Sequence, residues 1–66
     1  MTIRELCDQV TIQGFVRVQR ITDNGIEILY KGEYLDCNVG RFDDKEITYI
    51  FPLTVDGMNG ICIEVE

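Results

Sequence analysis

Alternating apolar and polar residues on both sides of Asp23-Asn24-Gly25 constrain this chain more than any other feature. The arm before this turn, Val10–Arg20, and the arm after it, Ile26–Lys31, each alternate with a period of two. Such alternation is typical of a β-strand with one buried face and one face in water. Two such arms joined by Asp, Asn and Gly predict a β-hairpin over Val10–Tyr34.

The hairpin admits two registers. A two-residue loop within the turn would mix apolar and polar side chains on both faces. A three-residue loop over Asp23–Gly25 pairs Thr22 with Ile26. It also pairs Val18 with Tyr30 and gives its glycine the left-handed conformation of a bulged turn. Because a slip of one residue would turn a whole apolar face to water, we predict the three-residue loop. It gathers five apolar side chains on one face: Val16, Val18, Ile26, Ile28 and Tyr30.

The start of the chain carries a helix signal. Thr2 and Glu5 have the spacing of a capping box, in which each side chain bonds to the other residue's backbone amide. The predicted helix runs from Ile3 to about Asp8, where the strand alternation begins. Because one or two helical turns do not persist alone, this helix must dock on the sheet. We interpret it as a lid over one open end of the core. The side chains that would dock are Ile3, Leu6 and Cys7.

Two further strands are predicted toward the end of the chain. Glu46–Phe51 is rich in β-branched and aromatic residues. Pro52 lacks an amide donor, so it ends this strand or bulges it at a sheet edge, and Leu53–Val55 can resume it. Asp56–Gly60 then turns the chain, and Ile61–Glu66 forms the final strand. Its inward side chains are Ile61, Ile63 and Val65, and its outward ones are Glu64 and Glu66.

The segment between the hairpin and these strands has a weaker pattern. Leu35–Gly40 fits a short third strand or an irregular edge, and Arg41–Lys45 reads as a polar loop. Phe42 within that loop either folds back onto the core or stands exposed as an anchor for a partner.

These elements predict a single, mainly β domain of small α+β class over residues 1–66. A short N-terminal helix is followed by a curled antiparallel sheet of four or five strands, or by a half-open barrel. A sheet with so few strands needs a cover for its apolar face. The main rival arrangement is a homodimer that buries the same face against a second copy.

Composition excludes several classes of protein. There is no apolar run long enough to span a membrane and no start typical of a signal peptide, so we expect a cytoplasmic protein. The three cysteines are odd in number and widely spaced, which favours reduced thiols acting as small buried hydrophobes. Alternation places Cys62 opposite Ile61 and Ile63, so Cys62 is the first thiol to test for exposure.

Twelve acidic residues against six basic ones leave a net charge of −6. A field of this sign repels nucleic acid and anionic membranes and attracts proteins with a basic surface. We therefore expect no direct nucleic-acid binding and no membrane contact. The same charge also keeps a small protein soluble.

The residue inventory argues against catalysis. The chain has no histidine and no serine, so neither a Ser-His pair nor a Cys-His pair can form. No glycine-rich phosphate loop is present, and a zinc site lacks the ligand pairs it needs. The run Asp43–Glu46 does not have the alternating ligands of a calcium loop and reads as a solvated turn. We expect a protein that is not an enzyme and has no cofactor or metal.

Binding to another protein is the function that these exclusions leave, and two groups of residues are candidates for the contact surface. Phe15, Arg17 and Gln19 form one outward row on the first strand, where an aromatic among long polar side chains suits an interface. Phe15 could instead cover a second layer such as the helix. An acidic group on one connection could meet an arginine-rich surface or be a solvated loop. Its members are Asp36, Asp43, Asp44 and Glu46.

Four segments carry a resemblance to a known group of proteins. Thr2–Leu6, Ile12–Gly14, Glu46–Ile50 and Ile61–Val65 resemble short acidic proteins encoded by phage and mobile elements of gut Gram-positive bacteria. That group has no assigned activity, so no catalytic residues transfer. The resemblance implies an accessory gene whose product binds a host or element protein.

Three functions are consistent with these observations. The first is a small acidic non-enzymatic protein-binding accessory module. The second is a nucleic-acid mimic that inhibits a host defence enzyme, such as a CRISPR effector nuclease. The third is a structural homodimer or assembly subunit, suggested by the exposed edges of a short sheet.

Overall fold

The computed structural model describes residues 1–9, 13–34 and 44–66. One helix, α1 (Ile3–Gln9), precedes four strands. The strands are β1 (Gln13–Thr22), β2 (Gly25–Tyr34), β3 (Ile47–Val55) and β4 (Met58–Val65). They form one sheet in the order β2-β1-β4-β3. The predicted strand over Leu35–Gly40, with Cys37, lies outside the described residues.

The sheet is mixed, which corrects the prediction of an antiparallel sheet or half-open barrel. β1 pairs with β2, and β3 with β4, as antiparallel hairpins, whereas β1 and β4 run parallel. The four described strands form an open sheet. β2 and β3 are separated by twelve residues, 35–46, which is enough for the crossover that parallel pairing requires. The two hairpins meet through β1 and β4 because these strands hold the apolar residues Val16, Val18, Ile63 and Val65.

The β1–β2 register differs from the predicted one near the turn. Val18 pairs with Tyr30 as predicted, but Gln19 pairs with Ile28, so Leu29 is an extra residue in β2. Thr22 pairs with Gly25 rather than with Ile26. That glycine has a φ of +115°, the left-handed region expected for it. The register shift that we placed at the turn therefore lies at Leu29.

This bulge reverses the faces of two isoleucines. Ile26 and Ile28 were expected beside Val16 and Val18, but they lie on the opposite face, and both are exposed. Since successive strand residues point to opposite faces, one inserted residue moves every side chain beyond it. The predicted grouping of five apolar side chains on one face is wrong for Ile26 and Ile28.

The second hairpin turns more tightly than predicted. Asp56 and Gly57, with φ values of +51° and +80°, form a two-residue turn, so β4 begins at Met58 rather than at Ile61. Positive φ at both central residues is typical of a type I′ turn, whose twist matches that of the strands.

Pro52 does not end β3, which continues to Val55 as an edge strand. Pairs of residues in an antiparallel hairpin alternate between hydrogen-bonded and non-hydrogen-bonded, starting with a bonded pair at a two-residue turn. Counting back from the Val55–Met58 pair places Pro52 and Ile61 in a non-hydrogen-bonded pair. The nitrogen of Pro52 therefore points away from β4, where β3 needs no donor.

The capping box is confirmed. The Thr2 amide donates to Glu5 Oε1 at 3.0 Å, and the Glu5 amide donates to Thr2 Oγ1 at 3.2 Å. A bridge between Thr2 and Glu46 fixes the residues before α1 beside the start of β3. The Ile47 amide adds a bond of 2.8 Å to the Met1 carbonyl.

The core lies between α1 and one face of the sheet. Ile3 is buried against four residues of the inner strands: Val16, Val18, Ile63 and Val65. Leu6 and Cys7 pack around it, as predicted. Fully burying a side chain of this size contributes roughly 1.5–3 kcal/mol, which stabilises a helix too short to persist alone. The helix thus covers a face of the sheet rather than closing the end of a barrel.

Candidate protein-binding face

The distal face is defined here as the side of the sheet opposite α1. Strand register assigns its residues, because directly paired residues point to the same side. Two rows cross all four strands in the order β2, β1, β4, β3. One row consists of Lys31, Arg17, Cys62 and Phe51. The next consists of Ile28, Gln19, Glu64 and Tyr49.

The distal face exposes large apolar side chains. Tyr49 is 66% exposed, and Ile28 is 50% exposed. Ile21 and Ile26, which pair with each other at the turn end of the first hairpin, are also exposed, as is Phe51. Grouped apolar exposure of this kind on a small protein marks a site of interaction rather than a requirement of folding.

The centre of the distal face is polar and incompletely satisfied. Gln19 is only 3% exposed, and its Nε2 donates to Glu64 Oε1 at 3.1 Å. Two buried atoms, Gln19 Oε1 and Arg17 Nε, have no hydrogen-bond partner among the described residues. A buried polar atom left unpaired costs roughly 1–3 kcal/mol, so these two atoms lower the stability of the sheet at this point.

The predicted row of Phe15, Arg17 and Gln19 lies together on the distal face. Phe15 is half-buried and pairs with Gly60 of β4. Asp44 and Glu46 are exposed next to β3. The remaining predicted site residues, Asp36, Phe42 and Asp43, lie outside the described residues.

Glu46 has a structural role that sequence reasoning did not identify. Its Oε2 lies 2.8 Å from the Met1 amino group. This contact, chiefly its hydrogen bond, raises the pKa of the Met1 amino group above its ordinary value. Glu46 therefore belongs to the packing of the chain start as well as to the acidic surface.

Sequence reasoning also missed the exposed apolar members of the distal face, which are Ile26, Ile28, Ile21, Tyr49 and Phe51. The signal for the first two was present in the run Ile28-Leu29-Tyr30, where three consecutive apolar residues interrupt the period of two. Such a run indicates a possible bulge, which reassigns the faces on either side of it.

Cys62 is a free thiol and is fully buried on the distal face, so it is not the exposed thiol that its alternation suggested. Over residues 1–9, 13–34 and 44–66, no group of three or more His, Cys, Asp or Glu side chains is arranged to hold a metal ion. Nor does this described part contain a helix long and apolar enough to cross a membrane.

The exposed carboxylates are spread around the molecule. They occur on α1, at both hairpin turns, along β2 and beside β3. The described set is Glu5, Asp8, Asp23, Glu27, Glu33, Asp44, Glu46, Asp56 and Glu66.

By contrast, the distal face carries both signs of charge. Arg17 and Lys31 lie in one row, Glu64 lies in the next, and Glu33 follows Lys31 on the same side of β2. This face is close to neutral within a chain of net charge −6.

No protein-family model, curated protein or solved structure matches this chain. The functional conclusion therefore depends on the residues of the distal face and their geometry.

Proposed function

We propose that this chain is a non-enzymatic protein-binding module and that the distal face is its contact surface. One observation carries the proposal: several large apolar side chains, Ile28 and Tyr49 among them, are exposed together on the distal face. Interfaces commonly combine apolar and aromatic contacts with a few hydrogen bonds that fix register. The resemblance to phage and mobile-element proteins suggests an accessory role in such a setting.

The edges of the sheet are less suitable for binding than its face. On β3, Pro52 occupies an outward-pointing position and offers no donor to an added strand. On β2, the bulge at Leu29 interrupts the regular ladder of donors and acceptors. Both features oppose the addition of a strand, so a partner gains more by contacting the face.

The partner's chemistry follows from that of the surface. Apolar side chains would cover Ile28 and Tyr49, and basic groups at the rim would meet the surrounding carboxylates. Nucleic-acid mimicry, the alternative, needs carboxylates along one face at phosphate-like spacing. The exposed carboxylates are instead spread over the helix, the turns and both edge regions, which favours the binding module.

A capture experiment with matched variants tests this function. Ile28 and Ile50 are both isoleucines on edge strands and both 50% exposed, but they lie on opposite faces of the sheet. Ile28→Glu and Ile50→Glu therefore change charge and exposed apolar area alike. Tagged parent and variants are incubated with lysate, and the retained proteins are identified by mass spectrometry.

We expect the parent and Ile50→Glu to retain the same protein, and Ile28→Glu to lose it. Retention of the same proteins by all three forms would refute the distal face as the contact surface. Recovery of no specific protein by the parent would refute the proposal that this chain binds another protein.

A further inference from the structure

We propose that Tyr49 and Glu64, on the distal face, together receive an arginine side chain of the partner protein. This inference rests on the proposed function, because it names the chemistry of the partner at one point of the same face. The two residues are direct partners in the β3–β4 hairpin, so their side chains leave the sheet on the same side. Side chains paired in this way have Cβ atoms about 4.5–5.5 Å apart, which is within reach of one guanidinium group.

The position of Glu64 in its row is the first reason for a cation. The row runs from Ile28 through Gln19 and Glu64 to Tyr49, and its two ends are exposed. A partner that covers both ends must also remove Glu64 from water. Burial of a carboxylate without a counter-charge is costly, so the partner has to bring a positive group to this point.

The carboxylate of Glu64 is free to accept that group. Its Oε1 accepts the hydrogen bond from Gln19 Nε2, whereas its Oε2 accepts none from any residue that the structure describes. The buried atoms without a partner are Arg17 Nε and Gln19 Oε1, so Glu64 Oε2 is accessible from outside the chain. Arg17 lies in the neighbouring row opposite Cys62, and none of the ion pairs among the described residues joins it to Glu64.

Tyr49 favours arginine as the source of the charge. Its ring is exposed on the edge strand β3, where a partner can approach it. A guanidinium is planar and weakly hydrated, so it can stack on an aromatic ring while its N–H groups donate to a carboxylate. The compact, strongly hydrated ammonium of a lysine gains less from the ring.

Phe51 adds a third contact. It lies two residues along β3 from Tyr49, on the same face, and is also exposed. The methylene stem of an arginine can cover apolar surface while its charged end lies elsewhere. One arginine side chain can therefore contact Phe51, Tyr49 and Glu64 together.

The charge of the whole chain acts in the same direction. A net charge of −6 attracts a basic partner, and the attraction is screened by salt. Association through this site should therefore weaken as the ionic strength rises.

An NMR titration of the full chain tests the site. The probes are capped hexa-arginine and hexa-lysine peptides, which carry equal charge, so the net charge of the chain attracts both alike. We expect hexa-arginine to shift most the amide signals of Tyr49, Glu64 and their strand neighbours. It should bind about two- to fivefold more tightly than hexa-lysine, the factor that a cation–π contact at an exposed ring supplies. Both affinities should fall between about 0.05 M and about 0.5 M NaCl.

Matched variants separate the two contacts. Tyr49→Leu keeps an apolar side chain and should abolish the preference for arginine, whereas Tyr49→Phe should keep it. Glu64→Gln retains an acceptor for Gln19 but removes the charge, and it should weaken hexa-arginine binding at least about threefold. Glu33→Gln makes the same change of charge on the opposite edge strand and should weaken binding less than about twofold. Circular dichroism checks that each variant keeps the parent fold.

Three results would overturn the inference. The first is equal affinity of the parent for the two peptides. The second is an equal loss of affinity in Glu64→Gln and Glu33→Gln. The third is a set of shifted amide signals that excludes Tyr49 and Glu64.

The capture experiment separates this inference from the proposed function. A captured protein that is lost by Ile28→Glu but retained by both Tyr49→Leu and Glu64→Gln would leave the distal face as the contact surface and overturn the arginine contact. A parent that captures no protein would refute the proposed function, while the peptide titration would still decide whether Tyr49 and Glu64 accept arginine.

Discussion

Gly60→Ala tests the parallel pairing of β1 and β4, the feature that the sequence did not predict. Gly60 pairs with Phe15 where the two hairpins meet. A Cβ added at Gly60 would lie 2.8 Å from the carbonyl carbon of Phe15 and 2.8 Å from its Cβ. Backbone atoms cannot rotate away as a side chain can, so the two central strands would have to separate locally.

Overpacking of this kind typically costs about 1–3 kcal/mol. Replacement of a strand glycine also restricts the unfolded chain, which returns roughly 0.4–1 kcal/mol where no clash occurs. We expect Gly60→Ala to lower the free energy of unfolding by about 1–2 kcal/mol. That is a large fraction of the few kcal/mol available to a domain of this size.

Gly32→Ala is the matched control. Gly32 is also a strand glycine, and its added Cβ would meet mainly the ring end of Tyr30, which can move. Its loss of stability should therefore be smaller than that of Gly60→Ala. Urea unfolding followed by far-ultraviolet circular dichroism measures both variants. A Gly60→Ala protein as stable as Gly32→Ala would refute the close approach of β1 and β4 at Phe15.

Three further perturbations address the core, the helix cap and the buried thiol. Ile63→Ala should lower the free energy of unfolding by about 2–5 kcal/mol in the same urea assay, because this fully buried side chain leaves a cavity; a smaller loss than that of Gly32→Ala would contradict its central position. The backbone amide and hydroxyl of Thr2 bond to Glu5 and hold its pKa below the ordinary 4.5. That stabilisation is complete above pH 4.5 and declines as the pH falls through the lowered value. Thr2→Ala should therefore raise the Glu5 pKa in an NMR titration and move acid unfolding to higher pH; an unchanged pKa would contradict the capping geometry. Cys62 should react with a thiol reagent only as fast as the protein opens, and more slowly than half-buried Cys7; immediate labelling of Cys62 would contradict its burial.

Part of the candidate site could be predicted from the sequence. The row of Phe15, Arg17 and Gln19 follows from the period of two along β1, which any strand imposes on its side chains. The exposure of Ile28 could not be assigned in the same way, because it depends on which residue of β1 lies opposite it. The unpaired atoms of Arg17 and Gln19 depend on three neighbouring strands, and no local pattern reports them.

The sequence by itself determined the helix and the four strands of this protein, but not where each strand begins and ends. Capping of α1 by Thr2, the two hairpins, and the inward set of Val16, Val18, Ile63 and Val65 all arise from interactions within a few residues. Hydrophobic alternation is a local property, so it identifies a buried face wherever a strand is regular.

Only the tertiary structure decided how these elements combine. Parallel pairing of β1 and β4 joins residues more than forty positions apart, such as Val18 and Ile63. It depends on how the two hairpins bury their apolar strands together. The alternation of apolar and polar residues along a strand is the same whether that strand pairs in the parallel or the antiparallel direction. The bulge at Leu29 likewise has meaning only relative to the partner strand. Pairing between distant strands thus fixed which residues reach the distal face, because side-chain direction in a sheet is set by register as well as by sequence.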